Sequence, residues 1–212
     1  MVLDKRPRNN GINYIAGILI IGLSIYFFYI SLAFKNSPEL FLTPEPVAAE
    51  DFPFSQITLE TFSVQIPLSF EYTPADAGLE LFSAKDRVRA SIKLMDTLPE
   101  EEQWRQSLST PIMGFFIGDA RGQETYHLMR RILDQRYNPS LMGAKSRLIP
   151  AWMKNGPDAR ILAIDNGQGI LYYTRERSLG VLFIKDKVIL VSVEGHMDMS
   201  VIAGTMLSTT LI

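Results

Sequence analysis

Residues 160–193 read RILAIDNGQGILYYTRERSLGVLFIKDKVILVSV. Four runs rich in β-branched, leucine and aromatic residues, at 160–165, 169–174, 179–184 and 188–193, are punctuated by polar turn residues. Asn166-Gly167 supplies the positive φ values of a type I′ turn, so the first two runs form a hairpin. Lys185-Asp186-Lys187 joins the other two. Two successive hairpins predict a four-strand antiparallel meander.

Upstream, residues 79–82 and 88–94 flank the polar pair Lys85-Asp86 and read as a further hairpin. In its second arm Val88, Ala90, Ile92 and Leu94 face one way, and Arg87, Arg89, Ser91 and Lys93 the other. One face is packed and one is wet, as in an antiparallel sheet. Residues 61–66 (TFSVQI) alternate as well, with Phe62, Val64 and Ile66 on one side.

Helical signals lie between the hairpin and the meander. Thr97 is a candidate N-cap, Pro99 sits near the first helical position, and Glu100, Glu101 and Glu102 complement the positive end of a helix dipole. In residues 124–137, Tyr126, Met129, Leu133 and Tyr137 recur at helical spacing. Pro139 is expected to end that helix and Ser140 to cap another. After the meander, Asp198 or Ser200 can cap a final helix running through Leu211. Strands and helices in runs, not in alternation, imply one α+β domain over residues 57–212: hairpin, helices, four-strand meander and C-terminal helix around an antiparallel sheet.

The N-terminal part has a different character. Residues 15–34, IAGILIIGLSIYFFYISLAF, contain no charge and would span roughly 30 Å as a helix, the hydrocarbon thickness of a bilayer. Lys5, Arg6 and Arg8 precede this segment and Lys35 alone follows it. By the positive-inside rule, residues 1–14 stay in the cytoplasm and residues 35–212 lie across the membrane. The segment exceeds the usual length of a signal-peptide core, which favours a retained anchor over the cleaved alternative. Residues 35–56 hold Pro38, Pro44, Pro46 and Pro53 with several acids, and read as a semi-rigid extended linker. The competing reading docks Phe41, Phe52 and Phe54 onto the domain. The absence of an Asn-x-Ser/Thr acceptor fits a bacterial envelope protein, and the anchor then places it in the inner membrane.

Composition narrows the function. With 47% hydrophobic and 21% charged residues, the 212-residue chain is neither disordered nor fibrous. Lys and Arg number 21 against 23 Asp and Glu, which lacks the basic excess of a nucleic-acid binder. There is no cysteine, so disulfides and thiolate chemistry are excluded. Neither an acyl-transfer elbow, a phosphate loop nor a zinc helix occurs in the sequence, and no motif asks for a cofactor.

The opening TFSVQIPLSFEY segment, the 160–193 meander and the closing helix resemble, in their order, the membrane-attached domains related to PsbP. The resemblance covers residues 57–212 and implies a non-catalytic assembly or accessory role.

Two groups of residues are candidate sites. Glu194, His196 and Asp198 would point the same way if the last strand continued, forming a carboxylate–imidazole–carboxylate ligand set; a strand end at Gly195 with Asp198 capping a helix is the competing reading. Residues 111–117 (PIMGFFI) are unusually apolar for a connection. They are either a buried strand or a patch in which Pro111, Ile112, Met113, Phe115, Phe116 and Ile117 dock on a partner or the bilayer. His127, beside Glu124, Arg130 and Arg131, is expected in a surface ion-pair cluster. The leading expectation is a single-pass anchored, non-catalytic domain that places one sheet face or residues 111–117 against another membrane or envelope protein. The alternative is an anchored domain that binds a small molecule or metal around His196, with hydrolysis as its chemistry.

Overall fold

The computed structural model describes residues 10–50, 52–108, 117, 124–164 and 168–212. It divides into two units, residues 1–38 and 39–212.

The first unit is helix α1, Asn10–Asn36. Its stretch Tyr14–Asn36 is long and apolar enough to cross a membrane. Leucine, isoleucine and phenylalanine side chains are exposed all round it, from Ile15 to Phe34. Such a surface is stable in hydrocarbon and costly in water. The basic residues Lys5, Arg6 and Arg8 lie outside the described residues.

The second unit is α+β. Its larger sheet has eight strands in the order β1-β7-β8-β9-β10-β6-β5-β4. These are β1 (Glu45–Val47), β4 (Glu71–Ala75), β5 (Gly78–Ser83), β6 (Val88–Met95), β7 (Arg160–Ile164), β8 (Gly169–Tyr173), β9 (Arg177–Ile184) and β10 (Lys187–Glu194). A three-stranded sheet holds β2 (Phe54–Thr58), β3 (Phe62–Pro67) and β11 (Thr210–Leu211), with β3 central. The helices are α2 (Glu101–Leu108), α3 (Thr125–Asp134), α4 (Pro139–Leu148) and α5 (Met199–Leu207).

The meander forms as its sequence predicts, and it continues through the β10–β6 pair into the β6–β5 hairpin, with Val191 opposite Ile92. The Asn166-Gly167 turn lies outside the described residues. Alternation sends Ile92, Ile189, Val191 and Leu171 into a core closed by Phe62, Val64 and Ile66 from β3 and by Ile202 and Met206 from α5. The reverse face of the sheet is apolar along β7–β9 and the first half of β10, where Ile161, Ile170, Tyr172, Val181 and Val188 are buried. Helices α2–α4 lie on that half. Tyr126 of α3 meets the Phe183 ring of β9 at 5.9 Å between centroids.

Several expectations are corrected. The large sheet is mixed, because β1 runs parallel to β7, with Glu45 opposite Leu162 and Glu45 also 3.7 Å from Arg160. Residues 35–56 are therefore not a spacer throughout. Only Ser37 lies between α1 and a 3-10 turn at Pro38–Phe41, in which Glu39, Leu40 and Phe41 are buried. Proline favours extended chain and lacks only one donor, so Pro46 is accommodated in an edge strand, as Pro74 is on the opposite edge, β4.

Helix α2 begins at Glu101, not at Thr97. Glu100 is left-handed with φ +59°, and the Glu101 carboxylate accepts from the Leu98 amide at 3.3 Å. Helix α3 buries Leu128, Met129, Ile132 and Leu133, while Tyr137 lies beyond its end and is exposed. Pro139 opens α4 instead of closing α3, and the cap is Asn138, which accepts from the Ser140 amide at 3.1 Å. The final helix stops at Leu207, and Thr210–Leu211 pair with β3.

Lys145 of α4 is fully buried. Its ammonium donates to the carbonyls of Leu42 (2.5 Å), Leu133 (2.7 Å) and Gln135 (3.4 Å). Loss of hydration outweighs the attraction of Asp134 and pulls its pKa down to about 8.

Candidate interaction surface

The part of the reverse face formed by the end of β10 with β6, β5 and β4 stays exposed among the described residues. The alternation that buries Val88, Ala90 and Ile92 turns Arg89, Ser91 and Lys93 outward. Register then aligns one row across five strands. Arg177 of β9 faces Glu194 of β10, Glu194 faces Arg89 of β6, Arg89 faces Phe82 of β5, and Phe82 faces Glu71 of β4. Arg177 and Glu194 form an ion pair. The Arg89 guanidinium lies 6.0 Å from the centre of the Phe82 ring, the outer limit of a cation–π contact. The next row is small and polar: Ser192, Ser91, Glu80 and Thr73. All residues of these rows but Arg177 line an open hollow of 600 Å³.

Glu194 also lines a second, larger cleft of 980 Å³ at the sheet end, with Arg177, Tyr173, Trp152, Asp158 and His196. Burial raises the Tyr173 phenol, and the carboxylates of Asp198 and Asp158 push it further the same way. The charged row and this cleft therefore form one continuous surface through Glu194 and Arg177.

The proposed ligand set is not assembled there. Strand β10 ends at Glu194, which is turned to Arg177. Gly195 follows with φ +103°, a conformation only glycine adopts without strain, and its amide donates to the Glu176 carbonyl at 2.8 Å. The alternation that would have aligned His196 and Asp198 with Glu194 is thereby broken. Asp198 instead precedes α5, its backbone carbonyl accepting from Val201 and Ile202. Among the described residues, no three carboxylate or imidazole groups come together to hold a metal.

Pro111, Ile112, Met113, Phe115 and Phe116 lie outside the described residues. Ile117 is fully buried, and its carbonyl accepts from Arg131 at 2.7 Å. It is a core residue and not an exposed docking contact, because an apolar side chain flanked by a satisfied backbone is stable inside. His127 is exposed and 3.5 Å from Glu124. The row on β10, β6, β5 and β4 escaped detection as a site because single polar residues on a strand face carry no motif. Its signal was the outward series Arg89, Ser91 and Lys93.

No protein-family model matches the chain, and no curated protein matches it in sequence.

Proposed function

We propose that the protein is a single-pass, non-catalytic accessory or assembly factor of the bacterial cell envelope, anchored in the inner membrane by α1. Its N-terminus lies in the cytoplasm and its domain on the other side. The domain binds another membrane or envelope protein through the exposed row Arg177–Glu194–Arg89–Phe82–Glu71. The observation that carries this reading is that row itself: alternating charge around an exposed aromatic ring, on a sheet face whose other half is covered by helices. Such surfaces give orientation and on-rate to protein encounters, with a central aromatic as anchor. The resemblance in element order to PsbP-related domains supports an accessory role by fold-level analogy alone.

The test is a mild-detergent pull-down of the full chain from its native membrane, beside the double variant Arg89→Glu/Glu71→Lys. A stoichiometric protein partner that the variant loses is the expected result. A clean monomer, or a partner retained unchanged by the variant, overturns the reading.

A further inference from the structure

At the seam where the helix layer stops, a separate cleft of 500 Å³ opens between α2, α4 and the sheet. Its floor is Leu179 and Val181 of β9 with Leu190 of β10, and its walls include Trp104, Met129 and Leu148. Its volume falls within the roughly 300–1,000 Å³ typical of small-molecule sites, and the lining is mostly apolar, as in such sites. Two opposite charges complete it, Glu100 and Arg147, both exposed. Neither carries an ion pair among the described residues, and they do not pair with each other.

Glu100 is held in place at a conformational cost. Among the described residues four non-glycines have positive φ. Ala77, Arg87 and Lys185 sit in tight turns between paired strands. Glu100 sits in the turn that opens α2, in which the Glu101 amide donates to the Leu98 carbonyl at 3.1 Å, and its own carbonyl accepts from the Trp104 amide at 3.1 Å, which ties it to the wall residue of the cleft.

An apolar cleft rimmed by one unpaired cation and one unpaired anion is complementary to a molecule with a hydrocarbon chain and a zwitterionic head. We propose that this cleft binds a single-chain zwitterionic amphiphile of the lysophospholipid class. The chain lies over Leu179, Val181 and Leu190, the ammonium faces Glu100, and the phosphate faces Arg147. This site is independent of the partner surface proposed above, and each can fail without the other.

The experiment uses the full chain in lipid nanodiscs with Trp152→Phe, so that Trp104 is the reporting fluorophore, and lysophosphatidylcholine brominated on its acyl chain as quencher. Saturable quenching is expected. It should weaken roughly two- to fivefold in Glu100→Gln and in Arg147→Gln, the scale of exposed charge contacts. Leu148→Glu, at a half-exposed helix end, should weaken it by roughly tenfold or more through a charge in the apolar wall. Leu179→Gln, with folding checked by circular dichroism, repeats that test on the floor. Quenching that rises without saturation reports partition into the bilayer only and overturns the proposal. So does saturation unchanged in both Leu148→Glu and Leu179→Gln. Equal binding of a brominated fatty acid overturns the zwitterionic head, and protection of Trp104 by a co-purifying polypeptide overturns the amphiphile.

Discussion

The Lys145 ammonium lies 2.5 Å from the carbonyl oxygen of Leu42, a residue 103 positions earlier in the chain. That single donor group ties the segment following α1 to the end of α3, whose Leu133 and Gln135 carbonyls it also serves. Carbonyls at a helix C-terminus carry the negative end of the dipole and suit a cation. Lys145→Met removes the donor and leaves those acceptors buried. The expected loss is about 1–3 kcal/mol, with faster amide exchange confined first to residues 39–47. Chemical denaturation and hydrogen exchange measure both. Unchanged exchange there would show that Lys145 does not hold the segment.

The same group sets a pH dependence. Its folded pKa is about 8, against 10.5 for the free side chain. Between those values the unfolded chain keeps the proton that the folded chain has lost, so unfolding takes up a proton and stability rises with pH. The rise is bounded by the shift, on the order of 3 kcal/mol. Buried Tyr172 acts in the opposite sense, since its phenol is pushed well above the ordinary value by burial and ionises first in the unfolded chain. Stability should therefore climb from pH 8 and turn over near pH 10 in the wild type. Lys145→Met should lack the climb.

Three buried side chains carry polar atoms with no hydrogen-bond partner among the described residues: both carboxylate oxygens of Glu39, the hydroxyl of Tyr172 and the hydroxyl of Thr205. An unsatisfied buried group costs more than the apolar atom that replaces it. Glu39→Met and Tyr172→Phe are each expected to leave the domain as stable or to stabilise it, by about 1–3 and up to about 1 kcal/mol respectively. Thermal melts decide this. A marked destabilisation by Glu39→Met would mean that the carboxylate is satisfied in solution.

Strands marked by alternation or by a turn were legible in the sequence, and β1, β2, β4 and β11 were not. Alternation at Val88, Ala90 and Ile92 and the turns at Lys85-Asp86 and Lys185-Asp186 are local signals, and the β5–β6 and β9–β10 hairpins follow them. Strand β1 is three residues long with a central proline, and it forms by pairing with a strand more than a hundred residues downstream. Strand β11 has two residues. Neither carries a periodicity to read. Lys145 looked like any surface lysine, because the three carbonyls that receive it are assembled only by the tertiary fold. Alignment of Glu194, His196 and Asp198 needs alternation to run on through Gly195, where the backbone turns left-handed, and the fold takes the competing reading, a strand end with Asp198 at the start of the last helix.

Gly78 opens β5 directly opposite Lys93. A Cβ built there would lie 2.1 Å from the Ile92 carbonyl oxygen, a backbone atom that cannot move without opening the β5–β6 ladder. Gly78→Ala is expected to cost about 2–4 kcal/mol and to loosen β4 and β5 together, since β4 pairs only with β5. Denaturant unfolding measures the first effect. Amide exchange in residues 71–83 measures the second, and exchange unchanged there would show that the ladder absorbs the methyl group.

The apolar helix α1 makes the remaining prediction. Tyr14–Asn36 would span roughly 34 Å as a helix, enough for a bilayer. Leu23 and Ile25 lie at the middle of that stretch and both are exposed. A single arginine at a helix centre costs about 2.5–3.5 kcal/mol on insertion, and two placed there cannot both reach the headgroups easily. Leu23→Arg/Ile25→Arg should therefore move the protein from the alkali-resistant membrane pellet to the soluble fraction, while the domain keeps its cooperative melt. A domain that stays in the pellet would show that something other than α1 holds it to the membrane.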